Sequence, residues 1–535
     1  MDKKAFLAIM LSVAVILVWQ GFFAKKPPQQ QQESARQETT VKEKPAANTA
    51  APEQIPPVKA KTVLSKPVVG TEKDIPVETS LYKAVFTTKG GSLKSYKLKN
   101  YRSSLDRDSE PIELVHVMNG MLRPLTMTFP ESSVNIHPES IFTSDRASID
   151  MTQNPESSKL TFTQTSNEMK EEKIFTFYPD KYAFDLEVKI YNLSKTALSE
   201  SAFLSWNQYV DPKSESDSYG HDGPISFIAK DVERYEVKKI ESGKLLGPDI
   251  AWAGFESKYF IAAMVPQNQT LTSLALSVDP RNMVSVSLKS TPNIVPPGQI
   301  ASFGYSLFLG PKENDILKAQ GVGLENAIDF GSWMKWLAMP LLISIKFLNS
   351  YVHNYGIAII ILTILIKIIF WPLGNKSYKS MKEMQKLQPK IAELREKYKN
   401  DKAKLSQETM AMYKTHKVNP LGGCLPMVIQ IPVFFGLYKA LMYSIELRHA
   451  PFYFWIQDLS AKDPYYITPI IMGATMLVQQ KMSPSMGDPM QQKIMMLMPV
   501  VFTFLFVNFP SGLVIYWLFQ NVLSIGQQYY INKQR

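Results

Sequence analysis

The sequence predicts a multi-domain membrane protein. An α-helical membrane part of six spans, an N-terminal anchor plus a five-span core, is joined to a large all-β domain. Three observations carry this. Apolar stretches long enough to cross a bilayer occur near residues 5–23, 352–373, 421–445, 464–482, 494–510 and 512–530. Residues 62–320 instead hold short segments in which apolar and polar residues alternate. Positive charge is concentrated in one short stretch between two of the apolar runs.

Lys3 and Lys4 precede the first run, Ala5 to Phe23. It ends in the bulky Trp19-Gln-Gly-Phe-Phe23, without a small-x-small cleavage signal. Two readings stand here, an uncleaved anchor with a cytosolic N-terminus and a cleaved signal peptide; we adopt the anchor. Residues 24–61 are rich in Pro, Gln, Ala and Lys and lack any apolar pattern that could pack, which predicts a flexible tether.

In residues 62–320 the alternation is clearest at Lys83–Thr87, Lys159–Thr163, Lys173–Phe177, Phe184–Val188, Val284–Leu288 and Ser302–Phe308. These are strands of a large β-sandwich, each showing one face to a core. The period then changes. Leu324, Ala327, Ile328, Gly331, Met334 and Ala338 share one helical face, flanked by Trp333 and Trp336. That pattern predicts an amphipathic helix over 321–340. Lying along the membrane surface and packing against the β-domain are both open to it; we adopt the first.

Charge sets the topology. The chain carries a net +11, but residues 62–320 hold 28 Lys+Arg against 32 Asp+Glu, whereas residues 374–419 hold 12 against 5. With residues 1–4 in the cytosol, the spans place 374–419, 483–493 and the tail there too. The loop before residue 464, with only Arg448 and Lys462, falls outside. The β-domain then lies in a periplasm. The basic segment is itself periodic, with Tyr378, Met381, Met384, Leu387, Ile391, Leu394 and Tyr398 at helical spacing. A break at Lys399-Asn-Asp401 and a resumption at Leu405, Met412 and Tyr413 predict two antiparallel helices, the first kinked at Pro389. Asn419-Pro420 supplies an N-cap and an N1 proline for the next span. The expected boundaries are 1–23 for the anchor, 24–61 for the linker, 62–320 for the β-domain and 321–340 for the surface helix. Span 2 is 341–373, the basic hairpin 374–419, span 3 420–446, the outer loop 447–463 and span 4 464–482. A cytoplasmic loop is 483–493, span 5 494–510, and span 6 with its tail 511–535.

Signatures of catalysis are missing from the sequence. Its one cysteine, Cys424, excludes an intrachain disulfide, and its six histidines are scattered without metal-ligand spacing. Metalloprotease, P-loop, nucleophile-elbow and CxxC patterns are absent, so neither an enzyme nor a cofactor is expected.

The spans do carry one cation well inside an apolar run, Lys367 between Gly356 and Trp371. Such a residue opposes insertion by roughly 2.5–3.5 kcal/mol, so it is normally paired, hydrated or functional. Snorkelling toward Pro372 is the competing account. Thr363 lies one turn earlier on the same face, Gln430 is in the next span, and Tyr516, Gln520 and Asn521 are in the last. Each can serve as a helix–helix hydrogen bond; together with Lys367 they describe a hydrated cavity. Met and Phe are dense in these spans, as adaptable contact surface or lipid-facing filler. Lys439 lies near an outer end, where snorkelling is expected.

The segments Lys417–Pro426, Trp455–Tyr466, Gln480–Pro484, Asp488–Lys493 and Phe509–Tyr516 closely resemble the YidC-type membrane protein insertases of Gram-negative bacteria. These are the bacterial branch of the family that includes the mitochondrial oxidase-assembly and chloroplast albino-type insertases. The resemblance is dense over 325–530. It implies an inner-membrane insertase and chaperone whose five-span core forms a groove open to the cytosol and to lipid. On that resemblance Lys367 is the groove cation, beside Thr363 and Gln430, with Tyr516, Gln520 and Asn521 as further polar residues. Ile431, Phe434, Met472, Leu505 and Trp517 form the surface along which a substrate helix slides. The resemblance also implies nascent membrane proteins, the Sec translocon with its accessory subunits, the ribosome and the phospholipid bilayer as partners. The ribosome would meet the basic hairpin. The β-domain resembles the supersandwich of galactose mutarotase-like proteins.

Two features depart from the family pattern. The groove cation is usually arginine; a lysine keeps its charge only if water reaches it. The tail also stops a few residues after the last span, without the basic extension of many relatives. A transporter and a sugar-modifying envelope enzyme are the alternatives. A transporter normally shows internal repeats and broken helices in matching halves, and the sequence has neither.

Overall fold

A computed structural model describes residues 63–64 and 70–533, apart from 107, 133, 154, 212–219, 241–244, 332–333, 417, 419–424 and 484–488. The expected anchor and tether, the Asn419-Pro420 cap and Cys424 lie outside the described residues.

All six alternating segments lie in strands. Met169–Phe177 buries every second residue, and Ala183–Asn192 does the same over most of its length. The two strands pair antiparallel within a nine-stranded sheet. Val284–Leu288 belongs to one of two five-stranded sheets, and Lys83–Thr87 to the other. The inward faces meet in an aromatic core. Phe86 lies 4.8 Å from Phe175 and 5.5 Å from Phe177 between ring centroids, and Trp206 and Trp252 are fully buried. Gly254 is required where two strands close up, since a Cβ there would sit 1.9 Å from the Ala262 carbonyl oxygen.

The sandwich core also buries charge. Glu256 accepts from Lys312 Nζ at 2.9 Å and Arg234 Nε at 2.7 Å, and His221 Nδ1 lies 3.0 Å away. Burial alone would raise this carboxyl, but the Lys312 ammonium, with His221 and Arg234, holds it at about 2. Glu171 shows the reverse. Buried, and 3.8 Å from Lys173 Nζ, it is pushed up to about 7 by desolvation.

The amphipathic segment does not form the expected helix. Leu324–Ala327 is a short 3-10 turn, Gly323 and Gly331 take φ of +73° and +75°, and a helix (α2, Lys335–Val352) begins only afterwards. A short helix, α1 (Asn314–Lys318), precedes the turn. The apolar face is buried, but against the sandwich: Leu324, Ala327, Ile328 and Ala338 join its core, and Arg234 donates to the Ala327 carbonyl at 2.8 Å. Periodicity records that a face is covered, not by what; the packing alternative is the one realised.

Helices occupy the later apolar stretches: α3 (Tyr355–Ile369), α7 (Leu425–Tyr443), α8 (Ile467–Met482), α9 (Pro489–Phe506) and α10 (Ser511–Lys533). Between α3 and α7 lie α4 (Trp371–Lys386), α5 (Gln388–Lys397) and α6 (Lys402–Thr415). Among the described residues no single helix is long and apolar enough to cross a membrane. The pair α3 and α4, bent where they meet, passes by length and composition. The bend falls at Phe370 (φ −89°, ψ 2°), two residues before Pro372. Prolines 340, 432 and 499 lie inside α2, α7 and α9.

The segment from Lys376 to Leu425 forms a unit with its own contacts. Its first helix stops at Lys386 and Pro389 lies at the start of the next, so the expected kink is a full break. Tyr398 ends α5, and Asp401 caps α6 by accepting from the Lys404 amide at 2.9 Å.

Candidate functional site

The last helix, α10, is held by the loop before α8. Ser511 donates its amide and its hydroxyl to the Ala461 carbonyl at 2.7 and 2.8 Å, and the Gly512 amide reaches Leu459 O at 3.0 Å. That loop carries its own hydrogen-bond network. Asp463, fully buried, accepts from Trp455 Nε1 and from the Thr468 amide and hydroxyl.

From this fixed start, α10 presents Tyr516, Gln520, Asn521, Ser524, Gln527 and Gln528 to its neighbours. All but Gln520 are buried. Spacings of three, four and five keep them on one broad side of the helix. The Gln430 amide donates to the Tyr516 hydroxyl, and Gln520 donates to Gln430 Oε1 at 3.2 Å. Asn521 donates to Thr475 Oγ1 at 3.3 Å. Further along, Gln527 reaches Trp371 O and Asn375 Oδ1 at 3.2 and 2.9 Å, and Gln528 donates to Ser483 Oγ at 3.3 Å. The ladder joins α10 to α3–α4, α7 and α8.

Lys367 meets this ladder. Half-buried near the end of α3, it donates from Nζ to Ser524 Oγ at 2.7 Å. Thr363 does not share that contact: fully buried, it donates back to its own helix at Ile359 O, 2.7 Å. The structure therefore groups Lys367, Gln430, Tyr516, Gln520 and Asn521 along α10 and assigns Thr363 a local bond. Ser524, Gln527, Gln528 and Thr475 were not singled out in the sequence, although the spacing 516, 520, 524, 527, 528 continues the polar side and could have exposed the first three.

Three polar atoms on α10 are buried without a partner: Trp517 Nε1, Gln520 Oε1 and Gln528 Oε1. In hydrocarbon each would carry a penalty of about 1–3 kcal/mol or more.

The residues expected on the slide separate. Ile431 is 45% exposed, while Phe434 and Leu505 are half-buried. Phe434 meets the Trp517 ring edge-on at 4.9 Å and Phe506 at 6.1 Å. Met472 is fully buried within the helical core, so it does not line an exposed slide. Apolar residues lie on every face of α8, so composition does not reveal which of them turns inward. Met495, Met496, Leu497, Met498, Val501 and Phe504 of α9 are exposed instead. Lys439 does not simply snorkel: its Nζ lies 3.7 Å from Asp329 and 4.7 Å from the Tyr443 ring. Among the described residues no group of His, Cys, Asp and Glu is arranged to hold a metal ion.

Residues 74–344 match the family model described as the YidC periplasmic domain, and residues 347–535 match the 60Kd inner membrane protein model. The membrane protein insertase YidC of Syntrophus aciditrophicus is 66% identical over the whole of both chains. The chain belongs to the YidC membrane protein insertase family. The YidC insertase of Geobacter metallireducens is 46% identical over all of this chain and 98% of its own. A crystal structure of an active YidC insertase with its first transmembrane domain resolved has a TM-score of 0.38 and 20% identity, over 87% of this chain and 94% of that one. A galactose mutarotase-like protein from Lactobacillus casei has a TM-score of 0.29 and 12% identity, over 44% and 99%. Those two likenesses are too loose to carry an argument. The sequence match establishes an inner-membrane insertase whose β-sandwich is the periplasmic domain.

Proposed function

We propose that this insertase passes its substrates along a hydrated groove beside α10, in which Lys367 offers an acidic segment a stopping point inside the membrane. The observation that supports it most is the Lys367–Ser524 bond, an ammonium held within a helical bundle by a neutral hydroxyl at 2.7 Å. The unpartnered Trp517 Nε1 and Gln520 Oε1 on the same helix also favour water there. No nucleotide is needed. Burying a helix of about 20 apolar residues is favourable at roughly 25 cal/mol per Å². The obstacle is moving the polar flank through a low-dielectric slab, and a wet half-channel shortens that path.

In this reading the substrate's apolar helix leaves past Ile431, Phe434 and the exposed face of α9. Gln430, Tyr516, Gln520 and Asn521 line the polar side. The segment 374–419, with 12 Lys+Arg against 5 Asp+Glu, faces the cytosol and meets the ribosome, and the core works alone or beside the Sec translocon and its accessory subunits. Six spans place both termini in the cytosol. The protein is not an enzyme, and deletion of residues 62–320 should leave most insertion activity in place.

The deciding experiment is insertion into reconstituted vesicles of a single-span substrate with an acidic outer tail. Lys367→Ala should impair it and Lys367→Arg should not. Equal insertion by wild type and Lys367→Ala defeats the groove-cation reading. Site-specific crosslinking from Phe434 to a stalled nascent chain tests the exit path. Labelling of Cys424 only from the periplasmic side would overturn the topology.

A further inference from the structure

We propose that Ser524 is a positioning residue for the Lys367 ammonium, holding it in place while leaving its charge uncompensated for an acidic substrate segment. This rests on the groove reading above and assigns a role within it to a residue of the last helix.

The argument is one of hydrogen-bond direction. The Ser524 hydroxyl lies 2.7 Å from the Gln520 carbonyl oxygen, one turn back, and that oxygen can only accept. The single hydroxyl proton is therefore committed to the helix backbone. What remains toward Lys367 is a lone pair, and the ammonium, which can only donate, meets it at 2.7 Å. The geometry is one-way: Ser524 accepts from Lys367 and cannot turn its proton toward it without leaving Gln520. Lys367 commits one of its three N–H groups and keeps two.

Neutrality of the partner matters as much as position. Two other helix cations, Lys346 and Lys439, are matched by carboxylates, whereas Lys335 meets the neutral Asn326 Oδ1 at 2.7 Å. Lys346 has Asp315 at 2.7 Å, Glu446 at 3.1 Å and Glu313 at 3.4 Å, and Lys439 has Asp329 at 3.7 Å. Among the described residues no carboxylate pairs with Lys367; the partner of its Nζ is the neutral Ser524 hydroxyl. A carboxylate at 524 would bind the ammonium more strongly and cancel it. A hydroxyl aims it and leaves a net positive charge to attract an incoming acid. A methyl group would leave the long lysine stem free among its rotamers, adding an ordering cost when a substrate arrives.

The test compares two single-span substrates that differ only in the outer tail, one with three aspartates and one with three asparagines. Full-length protein in vesicles is assayed as wild type, Ser524→Asp, Ser524→Ala, Ser524→Thr and Lys367→Ala. Ser524→Asp should lose about fivefold or more on the acidic tail, as Lys367→Ala does, with the neutral tail within about twofold, as expected for a compensated charge. Ser524→Ala should lose about threefold on the acidic tail only, and Ser524→Thr, which keeps the hydroxyl, should match wild type. A purely structural role predicts equal losses on both tails, and that result from Ser524→Ala overturns the proposal even if Ser524→Asp folds poorly. Wild-type insertion of the acidic tail by Ser524→Asp, with Lys367→Ala impaired, overturns the role of Ser524 and spares the groove cation. Wild-type insertion of both tails by Lys367→Ala defeats the groove reading itself.

Discussion

Asp463 accepts the indole N–H of Trp455 at 3.0 Å, from a side chain with no exposure to solvent. The same carboxylate takes the amides of Tyr465 and Thr468 at 2.9 and 2.8 Å and the Thr468 hydroxyl at 2.7 Å. Four donors converge on one group at the entrance to α8. Asp463→Ala would leave them unpaired in a buried place, at a cost of about 2–4 kcal/mol. Asp463→Asn keeps one acceptor oxygen and should lose about half as much. Thermal unfolding in detergent, followed by tryptophan fluorescence, should rank wild type above Asn and Asn above Ala.

Lys346 ties α2 to two places distant in sequence, Glu313 with Asp315 at the start of α1, and Glu446 after α7. Lys346→Ala leaves three carboxylates facing each other without a cation. We expect a loss of about 1–3 kcal/mol and faster proteolysis of residues 319–334, which link the sandwich to α2. Lys346→Arg should restore resistance; unchanged cleavage rates in both variants would remove the clamp.

Glu256 and Glu171 should give the periplasmic domain opposite responses to pH. Glu256 titrates at about 2 in the fold against an ordinary 4.5, so its contribution is complete above pH 4.5 and is lost as pH falls toward 2. That contribution is on the order of 3 kcal/mol. Hydrogen exchange of the strand Ile250–Glu256 in the full chain should accelerate through this window, and Glu256→Gln should flatten the response.

Glu171 titrates at about 7, above the ordinary 4.5, so its share of stability is complete below pH 4.5 and fades as pH rises through 7. Glu171→Gln should therefore protect the strand Met169–Phe177 from exchange more at pH 8 than at pH 5. An equal effect at both values would mean that the carboxyl is ionised in the fold throughout.

The β-sandwich was legible because each strand buries one face, and alternation encodes that directly: Lys173–Phe177 and Phe184–Val188 were visible as strands before their pairing was known. Glu171 and Lys173 occupy inward positions of the same strand, so their burial follows from the alternation once the strand is placed. The face from Leu324 to Ala338 was legible as covered but not as covered by protein, because lipid and a sandwich core demand the same apolar stripe. Lys367 stood out as a charge in an apolar run, but its partner lies 157 residues away and no local pattern joins Lys367 to Ser524. Met472 shows the remaining gap: apolar residues occupy every face of its helix, so the inward one does not stand out.

Gly473 is where α8 and α9 approach most demandingly. A Cβ built there would lie 2.0 Å from Thr503 Oγ1, well inside any real contact. Thr503 cannot simply rotate away, because its hydroxyl donates to the Pro499 carbonyl at 2.7 Å, next to the proline-disturbed turn of α9. Gly473→Ala should therefore push the helices apart or break that bond, with a loss of about 1–3 kcal/mol despite alanine's better helix propensity. Thr503→Ala removes the obstructing oxygen and should cost less by itself, since the carbonyl can be shared locally. The double variant should then be more stable than Gly473→Ala alone, a coupling of opposite sign to simple addition. Thermal unfolding of the four proteins of this cycle measures it directly; additive losses would mean that the two helices are not in contact at this pair. Because α9 carries the exposed apolar face proposed to release substrates, Gly473→Ala should also slow insertion, and Thr503→Ala should restore part of the rate.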